Sequence, residues 1–545
     1  MKELQIAQAD TGACCAGTRS PRRLRGAALM TLLLVALLSG CGTNPVTGKT
    51  ELQFVSEASE ISQGQLAYAP TRQGEGGDFV LDDALVAYVS EVGQKLAAVS
   101  DRKLPYEFKL LNSSVPNAWA LPGGKIAVNR GLLTELASEA ELAAVLGHEI
   151  VHAAARHGAK AQERGTLLQV GLLATQVGLA AGDTNPNLAN IAIQGAGLGA
   201  SMVQMKYGRD QESEADHYGM VYMQRAGYDL NAAVSLQETF VRLSNGQGEK
   251  SHSWLEGLFA SHPPSEQRVQ QNRATLAELH PNGGEVGAER YQQRTAALRQ
   301  MKPAYDKYDQ ALAAAGKKDF ATAKKLGEEA MRALPREARF PQLLGDIALA
   351  EKKNAEAVPY YEKSRSLDGN YFAAWLGEGV AQYRLGNKPR AEQLLNRSNE
   401  LMPSAPAAYF LGNIARERGD AAGALKYYQA AAGSESEYGQ LAAGEFQKMD
   451  LPQNPANYLA SGVQQDASGR VQLLLQNRSA LDITAVEVTP FALAAGGQPM
   501  QLGPPRTLAL QLPAGKTVAV DAQLGPMSAE QAAALRFRID GARTR

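Results

Sequence analysis

Residues 138–158 read SEAELAAVLGHEIVHAAARHG. The centre of this stretch, His148-Glu149-Ile150-Val151-His152, decides the chemistry and the fold around it. Two helical side chains four residues apart stack on one face, one turn above the other. His148 and His152 can therefore hold one metal ion together, while Glu149 stands within reach of a metal-bound water. Ser138 followed by Glu141 has capping-box spacing and starts the helix just after Ser138. Leu142, Val145 and Leu146 make the run apolar and hence buried. Ala153-Ala154-Ala155 extend it, and Gly158 is its expected stop. A buried glutamate between two histidines is costly without a cation. The apolar flanks thus favour a metal site over a surface helix with two incidental histidines.

A catalytic zinc takes three protein ligands and keeps one position open. A third histidine in the pattern H-x-x-G-x-x-H is excluded, because Ala155 and Gly158 occupy the decisive places. A downstream carboxylate is expected instead, and residues 209–219, RDQESEADHYG, supply several. Glu212 and Asp216 share a helical face at i, i+4. One would bind the metal and the other would orient a ligand histidine. Spacing alone leaves Glu214 open as the ligand too.

Five segments now line up in order: Pro116-Asn117-Ala118-Trp119-Ala120-Leu121-Pro122-Gly123-Gly124, then Ile126-Ala127-Val128-Asn129-Arg130-Gly131-Leu132-Leu133, Gly147 to His152, Glu212 to Asp216, and Ser261-His262-Pro263-Pro264 with Arg268. Together they resemble the metallopeptidase family M48, over residues 44–275. The resemblance implies one Zn²⁺ per chain, held by His148, His152 and Glu212, with Asp216 behind the ligands and Glu149 as general base. It places the His262 loop over the active site, where the imidazole can fill the open zinc position and switch the enzyme off. It places Arg268 near the scissile carbonyl. A strand through Asn117, Ala118, Trp119 and Ala120 would pair with extended substrate backbone. Trp119 stands where the family usually has Phe, which is expected to alter the shape of the substrate pocket.

The front of the chain reads as a lipoprotein signal peptide over 1–40. Arg19, Arg22, Arg23 and Arg25 form a basic start, and Ala27 to Leu38 is an apolar run too short for a comfortable membrane span. Leu38-Ser39-Gly40-Cys41 resembles a lipobox, with Cys41 as the lipidated residue. Of the three cysteines, Cys14 and Cys15 lie before the cleavage point, so no disulfide and no cysteine metal ligand remain. Gly42 is not the residue that retains lipoproteins in the inner membrane, so an outer-membrane anchor facing the periplasm is expected. Residues 42–48, GTNPVTG, read as a turn-rich tether. Net charge is −1 with no basic block after the signal, which argues against a nucleic-acid partner.

Residues 167–203 are Gly/Ala-rich and apolar but interrupted by Gln169 and Gln176, and read as two helices packed on the catalytic core or shielding the cleft. Residues 276–302 read as a helical linker. Beyond it Ala323, Ala357, Ala391 and Ala424 recur at 34, 34 and 33 residues, and Gly345, Gly379 and Gly412 at 34 and 33. This is the tetratricopeptide period, in which each repeat is a helix pair. The array spans 303–437, its first repeat degenerate. From 456 to 545 the pattern changes to period two, as in Val471/Leu473/Leu475 and Leu535/Phe537/Ile539, broken by prolines and glycines. That pattern suggests a small immunoglobulin-like β-sandwich.

The sequence thus describes a multidomain chain. A mainly α zincin (gluzincin) catalytic domain at 41–275 precedes an α-solenoid tetratricopeptide array and a small C-terminal β-sandwich. The domain set resembles the BepA-like members of the family most. That resemblance implies unfolded or misassembled envelope proteins as substrates, and the barrel-assembly machinery as a partner through the repeats. The alternative is a periplasmic chaperone or assembly adaptor with a latent protease.

Overall fold

The computed structural model describes residues 41–164, 207–244, 262–466, 468–493 and 498–544. The expected signal peptide, the two helices read in 167–203, and Ser261 lie outside the described residues. The chain opens with an antiparallel hairpin, β1 (Cys41–Thr43) and β2 (Thr50–Leu52). The turn residues between them, expected to form a loose tether, are instead folded onto the protein. The Asn44 side chain is fully buried. Its Oδ1 accepts from the backbone N–H of Val46 and Thr47, and its Nδ2 donates to the carbonyl of Ala155 at 3.1 Å. Asn and Pro suit tight turns as well as flexible ones, and here the turn plugs the end of the motif helix.

Helices α1 (Glu57–Gly74) and α2 (Asp83–Ala97) precede a three-stranded sheet. Its strands are β3 (Glu107–Leu111), β4 (Ala118–Leu121) and β5 (Lys125–Asn129), in the order β3-β5-β4, with β3 parallel and β4 antiparallel to β5. After the short α3 (Arg130–Leu133) comes the motif helix α4 (Glu139–Ala154). Ser138 Oγ accepts from the Glu141 N–H, as its position foretold, while the Glu141 carboxylate reaches back to the N–H of Ala137. The helix stops earlier than Gly158. Arg156 adopts a left-handed φ of 62°, and its guanidinium is held by Glu60 Oε1 and by the carbonyl of Val55.

Among the described residues the catalytic region also has α5 (Arg209–Arg225), α6 (Asn231–Ser244) and α7 (Glu266–Leu279). Helices α4 and α5 touch at Gly147 and Gly219. A Cβ on Gly147 would sit 3.1 Å from the Gly219 carbonyl oxygen, and one on Gly219 3.1 Å from the His148 nitrogen. Two glycines facing each other let the backbones approach closely, and this crossing brings the acidic segment to the histidines.

Helix α8 (Ala288–Gly316) runs without a break through position 302, so the stretch expected as a linker and the first repeat share one helix. Its Tyr291, Leu298 and Tyr305 lie in the same hydrophobic core as Leu142, Leu146 and Ile150 of α4. Helices α9 (Phe320–Ala333), α10 (Arg339–Ala350), α11 (Asn354–Leu367), α12 (Phe372–Arg384), α13 (Lys388–Leu401), α14 (Ala405–Glu417) and α15 (Ala421–Ala432) complete four helix pairs, closed by α16 (Glu437–Asp450). The periodic alanines are all fully buried. A Cβ on Gly345, Gly379 or Gly412 would come within 2.8, 2.8 or 2.6 Å of Tyr361, Leu395 or Tyr428. The period therefore reports where a large side chain of one helix lies against the backbone of its neighbour.

The C-terminal strands form two sheets around one core. β6 (Leu459–Gln465), β7 (Val471–Asn477) and β11 (Thr517–Asp521) make one. β8 (Ile483–Leu493), β9 (Pro499–Gln501), β10 (Arg506–Leu512) and β12 (Leu535–Thr544) make the other. Val471, Leu473 and Leu475 face Val486, Val488 and Leu535 between them, as the period-two pattern requires. No described helix is long and apolar enough to cross a membrane.

Candidate metal centre and active site

His148 and His152 lie one turn apart on α4, and α5 delivers Glu212 against them. The two Nε2 atoms are 3.0 Å apart. Glu212 Oε2 lies 3.7 Å from His148 Nε2, and Oε1 lies 3.5 Å from His152 Nε2. His262 joins the same group. Its Nδ1 is 3.3 Å from His148 Nε2 and 3.0 Å from Glu212 Oε1. Each of these four residues offers one ligand atom, and those atoms all lie within 4.8 Å of one another. That spread suits ligands each about 2.0–2.2 Å from one tetrahedral ion. Imidazole nitrogen and carboxylate oxygen are donors that zinc accepts, so the residues fit the metal.

Glu149 is buried beside them, with its Oε1 3.6 Å from His262 Nε2 and its Oε2 without a hydrogen-bond partner among the described residues. Burial pushes its carboxyl above the ordinary range, only partly offset by His262 and His148. Burial, and after it the neighbouring His148, push the pKa of His152 well below its usual value. Burial opposes the charge of Glu212, yet His262, His148 and Arg268 hold its carboxyl below the usual range. Burial also opposes protonation of His262, but Glu212 and Glu149 raise it.

Asp216 stands behind His148, its Oδ1 3.0 Å from Nδ1. Arg268 grips Asp216 with two N–H groups at 2.7 Å each, donates to the Pro263 carbonyl and pairs with Glu212 at 2.9 Å. Burial opposes ionisation of Asp216, but this guanidinium keeps its carboxyl well below the usual range. The guanidinium, expected near a scissile carbonyl, thus commits most of its donors to the carboxylates and the Pro263 backbone.

Glu214 is not brought to the metal group. It lies 3.4 Å from His157 Nε2 and 2.8 Å from Lys49 Nζ, and the His157 hydrogen bond and Lys49 lower its pKa to about 2. In β4, Ala118 and Ala120 face the core with α4, and Ala118 lines the cavity beside Glu149. Trp119 points the other way, edge-on to Tyr68 of α1 at 5.9 Å. Alternation along the strand therefore takes the indole away from the cavity whose shape it was expected to alter. Asn117 is buried, with its Oδ1 unpartnered among the described residues. Cys41 opens β1.

The cavity runs from His148, Glu149 and Arg268 between α4, α5 and α6. Its apolar wall is Val145, Met220, Met223, Ala233, Leu236 and Phe240, and it measures about 40 Å³. That is room for roughly three waters or the tip of one side chain.

Two neighbours of the metal group were not singled out from the sequence. The Tyr207 ring stacks on His152 with centroids 3.9 Å apart. His157 Nδ1 lies 2.9 Å from His152 Nδ1. The signal for His157 was its position five residues after His152, which a continuous helix would have turned off the metal face.

Residues 83–276 match the model of Peptidase family M48, and 348–414 match a tetratricopeptide repeat model. The beta-barrel assembly-enhancing protease of Escherichia coli K12 is 26% identical over 391 residues, covering 66% of this chain and 77% of that protein. The mitochondrial metalloendopeptidase OMA1 of Schizosaccharomyces pombe is 32% identical over 240 residues, covering 43% of this chain and 66% of that protein. The metalloprotease YcaL of E. coli K12 is 30% identical over 197 residues, covering 34% of this chain and 71% of that protein. Against a Vibrio cholerae relative, 31% identical over 202 residues, the chain spans 41% of its length. With the family model laid over the metal group and the helices that carry it, and YcaL matched over most of its length, the chain belongs to peptidase family M48.

Proposed function

We propose that this chain is a zinc-dependent metalloendopeptidase of the Gram-negative cell envelope that acts on unfolded or misassembled outer-membrane β-barrel proteins. The observation that carries this reading is the convergence of His148, His152 and Glu212 beside a buried Glu149 whose Oε2 has no partner among the described residues. In it, the three residues hold one Zn²⁺. The ion, when bound, lowers the pKa of a water and polarises the scissile carbonyl.

Glu149 takes the water's proton and later hands it to the leaving amine, a role suited by the raised proton affinity that burial gives it. Asp216 orients His148, and Arg268 holds Asp216 and Glu212 in place. The edge strand β4, with Asn117 just before it, pairs with extended substrate. The narrow cavity takes an apolar side chain next to the scissile bond. Its methionines adapt to different shapes. Apolar side chains are offered by unfolded chains and hidden in folded ones. His262 occupies the fourth ligand position and keeps the resting enzyme inactive.

The repeats serve partner binding. Tyr383, Tyr409, Phe410 and Tyr438 form an aromatic group on α12, α14 and α16, with ring centroids 5.1–5.7 Å apart. The E. coli relative is named for enhancing β-barrel assembly, which supports the barrel-assembly machinery as the partner. A lipid on Cys41 would tether the chain to the outer membrane, facing the periplasm.

The test is cleavage of a denatured β-barrel protein by purified chain at matched zinc content. Glu149→Gln should keep about one zinc per chain and lose cleavage by a factor of about 10²–10⁴. Cleavage by this variant at the wild-type rate rejects the assignment. The adaptor reading is favoured by one observation, the His262 ring within the ligand group. Full rescue of envelope integrity by Glu149→Gln in cells would support it.

A further inference from the structure

We propose that His157 and Glu214 form a positioning relay that fixes the tautomer and orientation of His152, as Asp216 does for His148. This rests on the zinc site described above. His152 turns its Nε2 to the ligand group, 3.0 Å from His148 Nε2 and 3.5 Å from Glu212 Oε1. A neutral imidazole that gives Nε2 to a metal carries its proton on Nδ1. That proton needs an acceptor, and the atom 2.9 Å away is His157 Nδ1. His157 must then hold its own proton on Nε2, which faces Glu214 Oε2 at 3.4 Å. The other Glu214 oxygen accepts from Lys49 Nζ at 2.8 Å. One protonation pattern satisfies every nitrogen in the chain from His152 to Lys49.

The two ligand histidines are thus supported differently. His148 leans on a carboxylate gripped by Arg268. His152 leans on a second imidazole, itself fully buried, and the carboxylate lies one residue further out. The backbone is arranged for this. Arg156 holds a left-handed φ of 62°, uncommon for a side chain of its size. That turn ends α4 and lets the very next residue swing under His152. The last member, Lys49, precedes the second strand of the N-terminal hairpin, so the segment after Cys41 touches the support of a metal ligand. Partners behind metal-bound histidines set ring orientation, and their loss typically weakens metal binding 10–100-fold.

The experiment measures zinc affinity of the full chain by competition with a chromophoric chelator, together with the visible spectrum of the cobalt-loaded protein. His157→Phe keeps a buried ring and removes the acceptor. It should weaken zinc binding by about 10–100-fold and shift the cobalt bands. His157→Gln can accept from His152 and donate to Glu214, and should stay within about threefold of wild type. Wild-type affinity and an unchanged cobalt spectrum in His157→Phe overturn the relay. If His157→Phe fails to fold by circular dichroism, Glu214→Ala decides. Weakening by about threefold or more supports the relay, and wild-type affinity overturns it. A wild-type chain that binds no zinc at all would refute the metal-site reading itself, and the relay with it.

Discussion

Replacing Tyr291 tests whether helix α8, which runs on into the first repeat, shares one core with the catalytic region. Tyr291 is fully buried near the start of α8, and its hydroxyl donates to the Leu133 carbonyl at 2.7 Å. It contacts Tyr88 at 6.4 Å between ring centroids and belongs to the cluster that contains Leu142, Leu146 and Ile150. Tyr291→Phe keeps the ring and leaves the Leu133 carbonyl short of a donor, costing about 1–3 kcal/mol. Tyr291→Ala also empties the ring's space, raising the loss to about 3–5 kcal/mol. At about 2–4 °C per kcal/mol for a unit of 150–250 residues, the alanine variant should melt about 6–20 °C lower. The assay is thermal unfolding followed in parallel by circular dichroism and by release of bound zinc. Both signals should move down together. Zinc release at the wild-type temperature, with only the helical signal shifted, would refute a shared core.

Three further outcomes are expected. His262→Ala should raise basal cleavage of a denatured substrate at matched zinc content, because it vacates the fourth ligand position; a drop of about a hundredfold would mean that the ring assists the reaction instead. Trp119→Phe should leave kcat/KM within about threefold for substrates with large and small apolar residues, because the ring faces Tyr68 and not the cavity; a change in side-chain preference would contradict that placement. Asp346 of α10 has its pKa pushed up to about 7 by burial, which the Tyr361 hydroxyl only partly offsets. The folded state therefore binds a proton that the unfolded carboxyl gives up near pH 4, and stability falls as pH rises towards and through about 7. Asp346→Asn should raise the melting temperature at pH 8 and lose that gain near pH 4; an equal gain at both would refute the assignment.

Local and periodic features were legible in the chain before any fold was known. The i, i+4 spacing of His148 and His152 needs only helix geometry, and Ser138 marks where that helix begins. The alanine and glycine periods revealed the repeats because a helix pair repeats its tight contacts at a fixed interval. Alternation of Val471, Leu473 and Leu475 revealed strands because pleating has period two. What the chain alone left open depended on how distant segments meet. Glu212 and Glu214 are equivalent by spacing. Only the Gly147–Gly219 crossing directs one to the imidazoles and leaves the other to His157 and Lys49. The face that Trp119 occupies depended on which side of the sheet receives α1 and which receives α4. Asn44 belongs to a turn whose composition suits a tether, and its burial against Ala155 follows from a space at the end of α4 that no local pattern encodes. Helix α8 is polar enough to read as a linker, yet its sparse Tyr291, Leu298 and Tyr305 bury because they pack into one cluster with Tyr88 of α2 and Leu142, Leu146 and Ile150 of α4. Local preference sets which elements form. Long-range packing sets which of their side chains meet, and in this protein Asp216, Arg268 and Glu214 reach their partners behind the histidines only through such meetings.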